Sequence, residues 1–305
     1  MKNNTDNPLV TIGVITYNSA KSVIETLDSI YNQTYENLEL IISDDCSKDD
    51  TVKVCTDWIS LHSDRFKRTK IITSEKNTGI SGNCNRLIAE VKGVWYKGIA
   101  GDDVLFKDAI KYYYAFATIN NSRVIASKAK YYNDKIEEGY FNKDETNLIF
   151  NKNYPKRFGS AKEELKKMIF GNWICSPTVF YHTSVFKEVG PYDEKFQMCD
   201  DYPYYIRILE HNIRIQFMDA FTVGYRVSMS NTCREKGKLY KLDFQRMLFE
   251  IQKKYCFRYY SGRQKRRTIL LLHIKIIMEK LDLNRSTSFC NNLLLFLNRL
   301  TFFVL

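Results

Sequence analysis

The sequence lacks the thiol and imidazole patterns that hold metal ions or disulfide frameworks. Its eight cysteines form no Cys-x-x-Cys pair, and no cysteine or histidine spacing matches a zinc site. No signal-peptide pattern precedes Val10 either. We therefore expect free thiols in a reducing cytoplasm. Structural or solvated roles are expected for the histidines, which are His62, His182, His211 and His273.

Long uncharged hydrophobic runs are also absent. Lys275, Glu279, Lys280 and Arg299 interrupt the apolar C-terminal stretch. No run therefore reaches the roughly 20 residues that cross a bilayer. Repeats and low-complexity segments are missing as well. At 305 residues, of which 44% are hydrophobic, the chain is long enough for one substantial core and an appendage.

Positive charge is abundant and concentrated late in the chain. The formal net charge is +11, and residues 255–305 hold nine Lys or Arg residues against two acidic residues. A basic cluster at residues 263–267 precedes the segment TILLLHIKIIM. Helical spacing places four apolar residues of this region on one face: Leu270, Ile274, Ile277 and Leu281.

This combination is typical of a helix that lies in a membrane interface, and it predicts binding to an anionic membrane surface. The alternative is that the C-terminal helices pack on the main domain and leave the basic residues solvated. Nucleic acid is not an expected partner, because no nucleic-acid-binding motif accompanies the charge. We predict a cytoplasmic protein that is peripheral on the inner face of the plasma membrane.

Strand and helix patterns alternate along the first third of the chain. Short β-branched or apolar runs at residues 10–15, 38–42, 70–73 and 95–100 predict four strands. Segments with apolar residues at helical spacing separate them, and Asn18 or Ser19 is predicted to cap the first helix. Such alternation predicts an α/β domain with a parallel sheet.

Polar residues follow three of these strands. They are Thr16, Tyr17 and Asn18 after the first strand, Asp44 and Asp45 after the second, and Asp102 and Asp103 after the fourth. Because ligands bind beyond the carboxyl ends of parallel strands, we expect the three clusters to converge on one edge. Adjacent carboxylates after a flexible glycine suit a divalent metal ion held against a diphosphate. The alternative is a solvated turn.

A second carboxylate pair, Asp200 and Asp201, precedes a run with apolar residues at helical spacing. From the residues alone, such a pair serves to cap a helix and to complement its dipole. A general base is the other role that this pair can fill.

Several motifs together resemble the family-2 inverting glycosyltransferases of the GT-A fold. They are ITYNSAKSVIETLDSIYNQTYENLELIISDDCSKDDT, then NTG at residues 77–79, then AGDD at residues 100–103. The resemblance covers roughly residues 8–227. It implies a GT-A nucleotide-diphospho-sugar transferase fold, which is a Rossmann-like mixed, mainly parallel sheet flanked by helices.

The resemblance also implies roles for individual residues. Thr16, Tyr17 and Asn18 would bind the nucleotide, with Tyr17 at the base, and Asp45 would contact uracil. Asp102 would contact the ribose and Asp103 the metal ion, which is Mn2+ or Mg2+. The segment CDDY at residues 199–202 is similar to the family's Glu-Asp motif, so Asp201 would be the general base, with Asp200 in the place of the usual Glu.

The chain departs from the family pattern after the NTG motif. Residues 83–85 read Asn-Cys-Asn where Ala-Arg-Asn is common, so an Arg is missing there. We expect Arg86 to be a surface charge that points elsewhere on its helix. Three residues remain as candidates for an additional contact to the diphosphate: Asn85, Lys97 and Arg226.

The middle of the chain is predicted to form the acceptor side. Residues 124–132 predict a strand, 133–143 a turn or hairpin, and 161–170 a helix. In the resembling family this region contacts the acceptor, so Trp173 would stack on a sugar ring together with a contribution from Asp200. The alternative for Trp173 is a core aromatic.

These observations predict a hexosyltransferase with two regions. Residues 1–230 would form the catalytic domain, with a nucleotide-binding half at 8–105 and an acceptor-side half at 106–230, and residues 231–305 a basic helical region. The enzyme would be inverting, metal-dependent and non-processive, and would move one sugar from a UDP-sugar to a glycan or polyprenyl-diphosphate-linked acceptor in O-antigen or capsule biosynthesis. The alternatives are a non-catalytic nucleotide- or glycan-binding subunit and a sugar nucleotidyltransferase, although the latter usually has a Gly-rich loop after the first strand.

Overall fold

The computed structural model describes residues 7–133, 159–227 and 235–303. The chain divides into two compact units, Met1–Val227 and Ser228–Leu305. From residue 134 onward, the predicted turn or hairpin at 133–143 lies outside the described residues. Residue 133 itself is the last residue of a strand.

The first unit contains alternating strands and helices over its first hundred residues, as the sequence predicts. The strands are β1 Val10–Thr16, β2 Leu38–Asp44, β3 Arg68–Thr73, β4 Trp95–Ala100, β5 Val104–Leu105, β6 Val124–Asn133, β7 Phe180–His182 and β8 Ile215–Val227. The helices are α1 Val23–Tyr31, α2 Thr51–His62, α3 Gly79–Ile88, α4 Ala109–Asn120, α5 Ala161–Met168, α6 Ser184–Val189 and α7 Asp201–Glu210.

One mixed sheet connects these strands in the order β3-β2-β1-β4-β7-β6-β8-β5. The first four strands pair in parallel, and β6 is parallel to β8. Strand β7 runs antiparallel to both of its neighbours, as β5 does to β8. This arrangement confirms the predicted mixed sheet flanked by helices.

The core extends from the parallel half of the sheet, under α1 and α2, into the half formed by β6, β7 and β8. All seven residues of β2 are buried, which is typical of a central strand with both faces covered. Helix α1 buries Val23, Leu27 and Ile30, whose spacing of three and four residues forms one face. The apolar periodicity in the sequence therefore corresponds to the packed face of the helix.

Several boundaries differ from the prediction: β1 and β2 end one and two residues later, and α5 ends two residues earlier. Helix α1 has Ser22 at its N-cap position, so the prediction that Asn18 or Ser19 caps it was wrong. Asn18 adopts a left-handed backbone (φ 52°) in the preceding loop. Strand β3 begins two residues earlier than predicted, at Arg68, whose Nη1 lies 2.5 Å from Oε1 of the buried Glu39 on β2.

The second unit is helical. Its helices are α8 Leu242–Ile251, α9 Gly262–Lys280 and α10 Ser288–Phe303. Helix α9 starts with a capping box, in which Ser261 and Gln264 each accept a hydrogen bond from the other's main-chain N–H. Across the described ranges, no helix is both long enough and apolar enough to cross a membrane.

Candidate active site

Three polar clusters meet at one edge of the sheet. Strand β1 pairs in parallel with both β2 and β4, so the carboxyl ends of all three strands lie together. Thr16 is in register with Asp44, and its Oγ1 donates a hydrogen bond of 2.8 Å to Asp44 Oδ2. Asp102 and Asp103 follow β4 at the same edge. This is the ligand-binding position of open parallel sheets.

Hydrogen bonds join the loop after β1 to the loop after β2. The main-chain N–H of Asn18 donates to Ser47 Oγ at 2.8 Å, and Asn18 Oδ1 accepts from the main-chain N–H of Lys48 at 2.8 Å. Thr16 is buried. Tyr17, by contrast, is 48% exposed. Of the predicted nucleotide-binding residues in the first cluster, Tyr17 and Asn18 are therefore exposed, whereas Thr16 is not.

Asp45 anchors the loop formed by residues 77–79. This buried carboxylate accepts hydrogen bonds from the main-chain N–H groups of Thr78 and Gly79, at 2.9 and 2.8 Å to Oδ2. Its Oδ1 accepts from Thr78 Oγ1 at 2.6 Å. The NTG motif is therefore held against the end of β2 by the acid that follows this strand.

Arg86 completes this cluster, and our prediction that it is a surface charge was wrong. Its Nη2 lies 3.0 Å from Asp45 Oδ1 and 2.9 Å from Asn83 Oδ1. Helix α3 starts at Gly79, so Arg86 follows two turns later and points back toward the end of β2. The pattern offered a signal, since Asn83 and Arg86 are three residues apart and share a helix face.

We expect Arg86→Met to destabilise the protein by about 2 kcal/mol, because it removes a charge-assisted hydrogen bond from a buried carboxylate. Urea unfolding measures this difference. Arg123→Met is the matched control, since it breaks a pair with Glu188 in which both side chains are 40% exposed, and should cost less than about 1 kcal/mol. Equal losses for the two variants would contradict the anchoring role of Arg86.

Arg226 fixes the carboxylate pair after β4. Its main-chain N–H donates to Asp103 Oδ1 at 2.8 Å, and its Nε donates to the main-chain oxygen of Asp102 at 3.0 Å. The guanidinium also pairs with Glu25 of α1. Arg226 lies at the end of β8, far along the chain, so the sequence identified it only as a candidate for the diphosphate.

The other two candidates for the diphosphate have structural partners. Asn85 Nδ2 donates to Tyr192 O at 3.0 Å and to Glu194 Oε1 at 2.8 Å. Lys97 is fully buried in β4, where its Nζ donates to Gly98 O at 3.0 Å and also to Pro177 O. Neither side chain reaches the open edge in this arrangement.

The second carboxylate pair lies at the start of α7. Asp200 occupies the N-cap position, but its side chain makes no capping hydrogen bond. Asp201 Oδ2 accepts a hydrogen bond of 2.7 Å from Asn172 Nδ2. Capping by the Asp200 side chain, the alternative considered from the sequence, is therefore not observed. The sequence analysis did not single out Asn172, which lies 29 residues before Asp201.

Trp173 is buried rather than open to an acceptor. It is 7% exposed, which corresponds to the core position that we considered as the alternative. The aromatic side chain of the same segment that reaches the surface is Phe170, at 57% exposure. Sequence alone did not distinguish these two aromatic residues.

Comparison with known proteins identifies the family. The sequence profile described as Glycosyl transferase family 2 matches residues 11–184. The chain belongs to this family. The match includes β1, β2 and β4 with all three polar clusters of the sheet edge, and it ends before Asp200 and Asp201.

Individual relatives of this glycosyltransferase are distant but extensive. An uncharacterized glycosyltransferase of Methanocaldococcus jannaschii is 23% identical over 78% of this chain and 77% of its own length. A PGL/p-HBAD biosynthesis glycosyltransferase of Mycobacterium bovis is 25% identical over 77% of this chain and 84% of its own length.

Solved structures establish that the glycosyltransferase has the GT-A fold. S. aureus TarS 1-349 in complex with UDP-GlcNAc has a TM-score of 0.60 and 20% identity, over 86% of this chain and 71% of that chain. This chain spans 42% of a longer TarS chain. PcManGT from Pyrobaculum calidifontis, in complex with GDP-Man and Mn2+, has a TM-score of 0.56 and 15% identity over 81% of this chain and 62% of its own.

Burial controls the charge of both carboxylate pairs in this glycosyltransferase. It raises the pKa of Asp103 well above its usual range, and the neighbouring Asp102 carboxylate raises it further. Burial and the charge of Asp201 raise the pKa of Asp200 to about 7. Burial also raises the pKa of Asp201, but hydrogen bonds from Cys199 and Asn172 oppose the shift. These hydrogen bonds favour the ionised form of Asp201, whereas burial disfavours it.

Asp102 and Asp103 fit a metal ion that is shared with a substrate. Within residues 7–133, 159–227 and 235–303, no group of three His, Cys, Asp or Glu side chains is placed to hold an ion. Mg2+ is commonly held by one or two carboxylates together with substrate phosphates, which is the set of ligands available here. A bound cation would also favour ionisation of two carboxylates whose pKa values are raised.

Proposed function

We propose that this glycosyltransferase moves one sugar from a UDP-sugar to an acceptor hydroxyl with inversion, and that Asp201 is its general base. One observation carries the proposal. The segment just before Asp200 and Asp201 is bonded to the start of α3: Phe196 O accepts a hydrogen bond from Ser81 Oγ at 2.9 Å, and Gln197 O accepts one from the main-chain N–H of Ile80 at 3.1 Å. Asp45 holds the same end of α3 through Thr78 and Gly79. These contacts support a single site in which Asp201 lies on the acceptor side and the sheet edge forms the donor side.

The proposed chemistry is a direct displacement at the anomeric carbon. Asp201 would take the proton of the acceptor hydroxyl as this oxygen attacks, and Asn172 would hold its carboxylate in place. The leaving nucleoside diphosphate would lie toward Asp102 and Asp103, where bound Mn2+ or Mg2+ supplies charge neutralisation. Arg226 would hold these carboxylates through its main-chain and side-chain hydrogen bonds.

The choice of a UDP-sugar rests on the solved neighbours and on the nucleotide side of the site. TarS was solved with UDP and with UDP-GlcNAc, whereas PcManGT was solved with GDP-Man. Tyr17 would stack on the base from its exposed position. Asp45 would contact uracil, and it also fixes residues 77–79 through its hydrogen bonds to Thr78 and Gly79.

For the acceptor we propose a glycan or a polyprenyl-diphosphate-linked sugar of O-antigen or capsule biosynthesis, used without processive elongation. Two observations support this choice. The chain carries a net charge of +11, which suits work at an anionic membrane surface. The M. bovis relative is named for the biosynthesis of PGL and p-HBAD. We accordingly propose a peripheral position on the inner face of the plasma membrane.

Nucleotide binding tests the donor. We expect calorimetry of the full chain with UDP, GDP, dTDP and CMP to show Mn2+-dependent binding of UDP alone, because the metal ion needs phosphate ligands to complete its coordination. Binding of GDP instead would correct the donor class. Absence of binding to all four nucleotides, with and without Mn2+, would contradict the proposed reaction and favour a non-catalytic subunit.

A further inference from the structure

The net charge of the chain belongs to its second unit. Residues 228–305 contain sixteen Lys or Arg residues and five Asp or Glu residues, whereas residues 1–227 contain thirty of each class. The value of +11 is therefore confined to the helical unit. A partner that recognises charge would be anionic and would approach this unit.

Helix α10 turns large apolar side chains toward solvent. At 100° per residue, Phe289, Phe296 and Leu300 fall within about 40° of one line along the helix. Cys290 and Thr301, which are buried, lie about 100° to 120° around the helix from this line. A surface helix of a globular protein normally buries its apolar stripe. We call the following exposed residues the α10 surface: Phe289, Leu295, Phe296, Leu300 and Phe302.

The start of α9 brings cations to the end of α10. Arg263 Nη2 donates to the main-chain oxygen of Phe302 at 2.7 Å, and Arg267 Nε donates to Thr301 Oγ1 at 3.1 Å. The Arg267 guanidinium also lies 3.5 Å from the centroid of the Phe302 ring. These contacts join the basic cluster predicted from the sequence to the α10 surface. They also show that Arg263 and Arg267 have structural partners, while Arg266 is exposed.

We propose that the α10 surface inserts shallowly into an anionic membrane, with the cations at the start of α9 beside the lipid phosphates. This combination of exposed Phe and Leu side chains with adjacent Lys and Arg suits the boundary between headgroups and acyl chains. The inference rests on the proposed peripheral location. It does not depend on the proposed transfer chemistry.

Charge favours a lipid surface over a second copy of this chain. Two such units would each bring a strongly positive charge to a shared interface, and like charges repel when they are brought together. An anionic bilayer attracts the same cations, at roughly fivefold in affinity for each Lys or Arg near the surface. Insertion then removes the exposed apolar side chains from water, which is favourable.

Vesicle sedimentation of the full chain tests the proposal. We expect binding to vesicles of phosphatidylglycerol and phosphatidylcholine, little binding to phosphatidylcholine alone, and a decrease as salt is added. The double variant Phe296→Ser with Leu300→Ser should bind the anionic vesicles at least about tenfold more weakly. The matched control is Ile119→Ser, because Ile119 is 82% exposed on α4 of the first unit, which has no net charge.

Charge is tested with Lys265 and Arg266, because Arg263 and Arg267 make hydrogen bonds that join α9 to α10. Lys265→Glu with Arg266→Glu should weaken binding to the anionic vesicles by at least about 25-fold, at about fivefold for each lost cation. The control replaces two exposed lysines of the first unit, Lys53→Glu with Lys111→Glu, and should bind as the unmodified chain does.

A fluorescent variant keeps the proposal testable if the serine variants misfold. In Phe296→Trp, brominated lipid should quench the new tryptophan, whereas Ile119→Trp should not be quenched. The inference would be overturned by equal binding to both vesicle types, by unchanged binding of the Phe296 and Leu300 double variant, or by a dimer that this variant converts to a monomer. UDP binding measured in parallel separates this failure from failure of the proposed function, since the variants lie outside the nucleotide site.

Discussion

Asp201→Asn is expected to lower kcat for sugar transfer by about 10²- to 10⁴-fold, which is the usual contribution of a positioned general base. The amide cannot accept the proton of the attacking hydroxyl. Affinity for the nucleotide should stay the same, because Asp201 is proposed to act on the acceptor. Single-turnover rates measured beside UDP calorimetry distinguish these two effects. A variant that retains the full transfer rate would exclude Asp201 as the base.

The neighbouring Asp200→Asn is the matched control. Burial and the charge of Asp201 raise the pKa of Asp200 to about 7, so Asp200 is protonated on the acidic limb of the kcat/KM profile, and this limb should stay close to its original pH in the variant. The ionisation of Asp200, whose pKa is raised to about 7, should disappear from the profile. If this variant lost as much activity as Asp201→Asn, the roles of the two residues would have to be exchanged.

Asp103→Ala is expected to abolish the Mn2+-dependent part of UDP binding. Loss of a residue that supports a metal ligand typically weakens metal binding by 10- to 100-fold, and loss of the ligand itself should cost at least about that much. Calorimetry with and without Mn2+ measures the difference. UDP binding in the absence of metal should change little, since the other nucleotide contacts remain.

Arg226→Met provides an intermediate case for the same measurement. The main-chain hydrogen bond to Asp103 remains, whereas the side-chain contacts to Asp102 and Glu25 are lost. We expect a smaller loss of Mn2+-dependent binding than for Asp103→Ala, within the range of about 10- to 100-fold. Normal Mn2+-dependent binding by Asp103→Ala would exclude the proposed metal role.

The sequence predicted the polar edge of the sheet because its signals are local. Strand β4 was predicted with the bounds that it has, residues 95–100, since its apolar run ends at a glycine and two acids. The convergence of Thr16 with Asp44 followed from parallel pairing, which places equivalent strand ends side by side. In both cases the information lies within a few residues of the feature.

Long-range partners were not predictable in the same way. Arg226 reaches Asp103 across 123 residues, and Asn172 reaches Asp201 across 29. Neither pair has a spacing that a helix or strand would impose. Arg86 was assigned to the surface because its helix face was judged without knowledge that α3 packs beside the end of β2. Tertiary contacts decided these three roles.

The unequal distribution of charge between the two units also affects the rate at which the nucleotide donor would associate. Residues 1–227 carry equal numbers of acidic and basic residues, so this unit has no net charge with which to attract an anionic nucleotide from a distance. Electrostatic steering raises association rates most strongly at low ionic strength, and it fades when the screening length falls to about 8 Å in physiological salt. Donor capture should therefore proceed at an ordinary diffusional rate with little salt dependence. Selectivity for the donor would then arise from how long the nucleotide stays in the site.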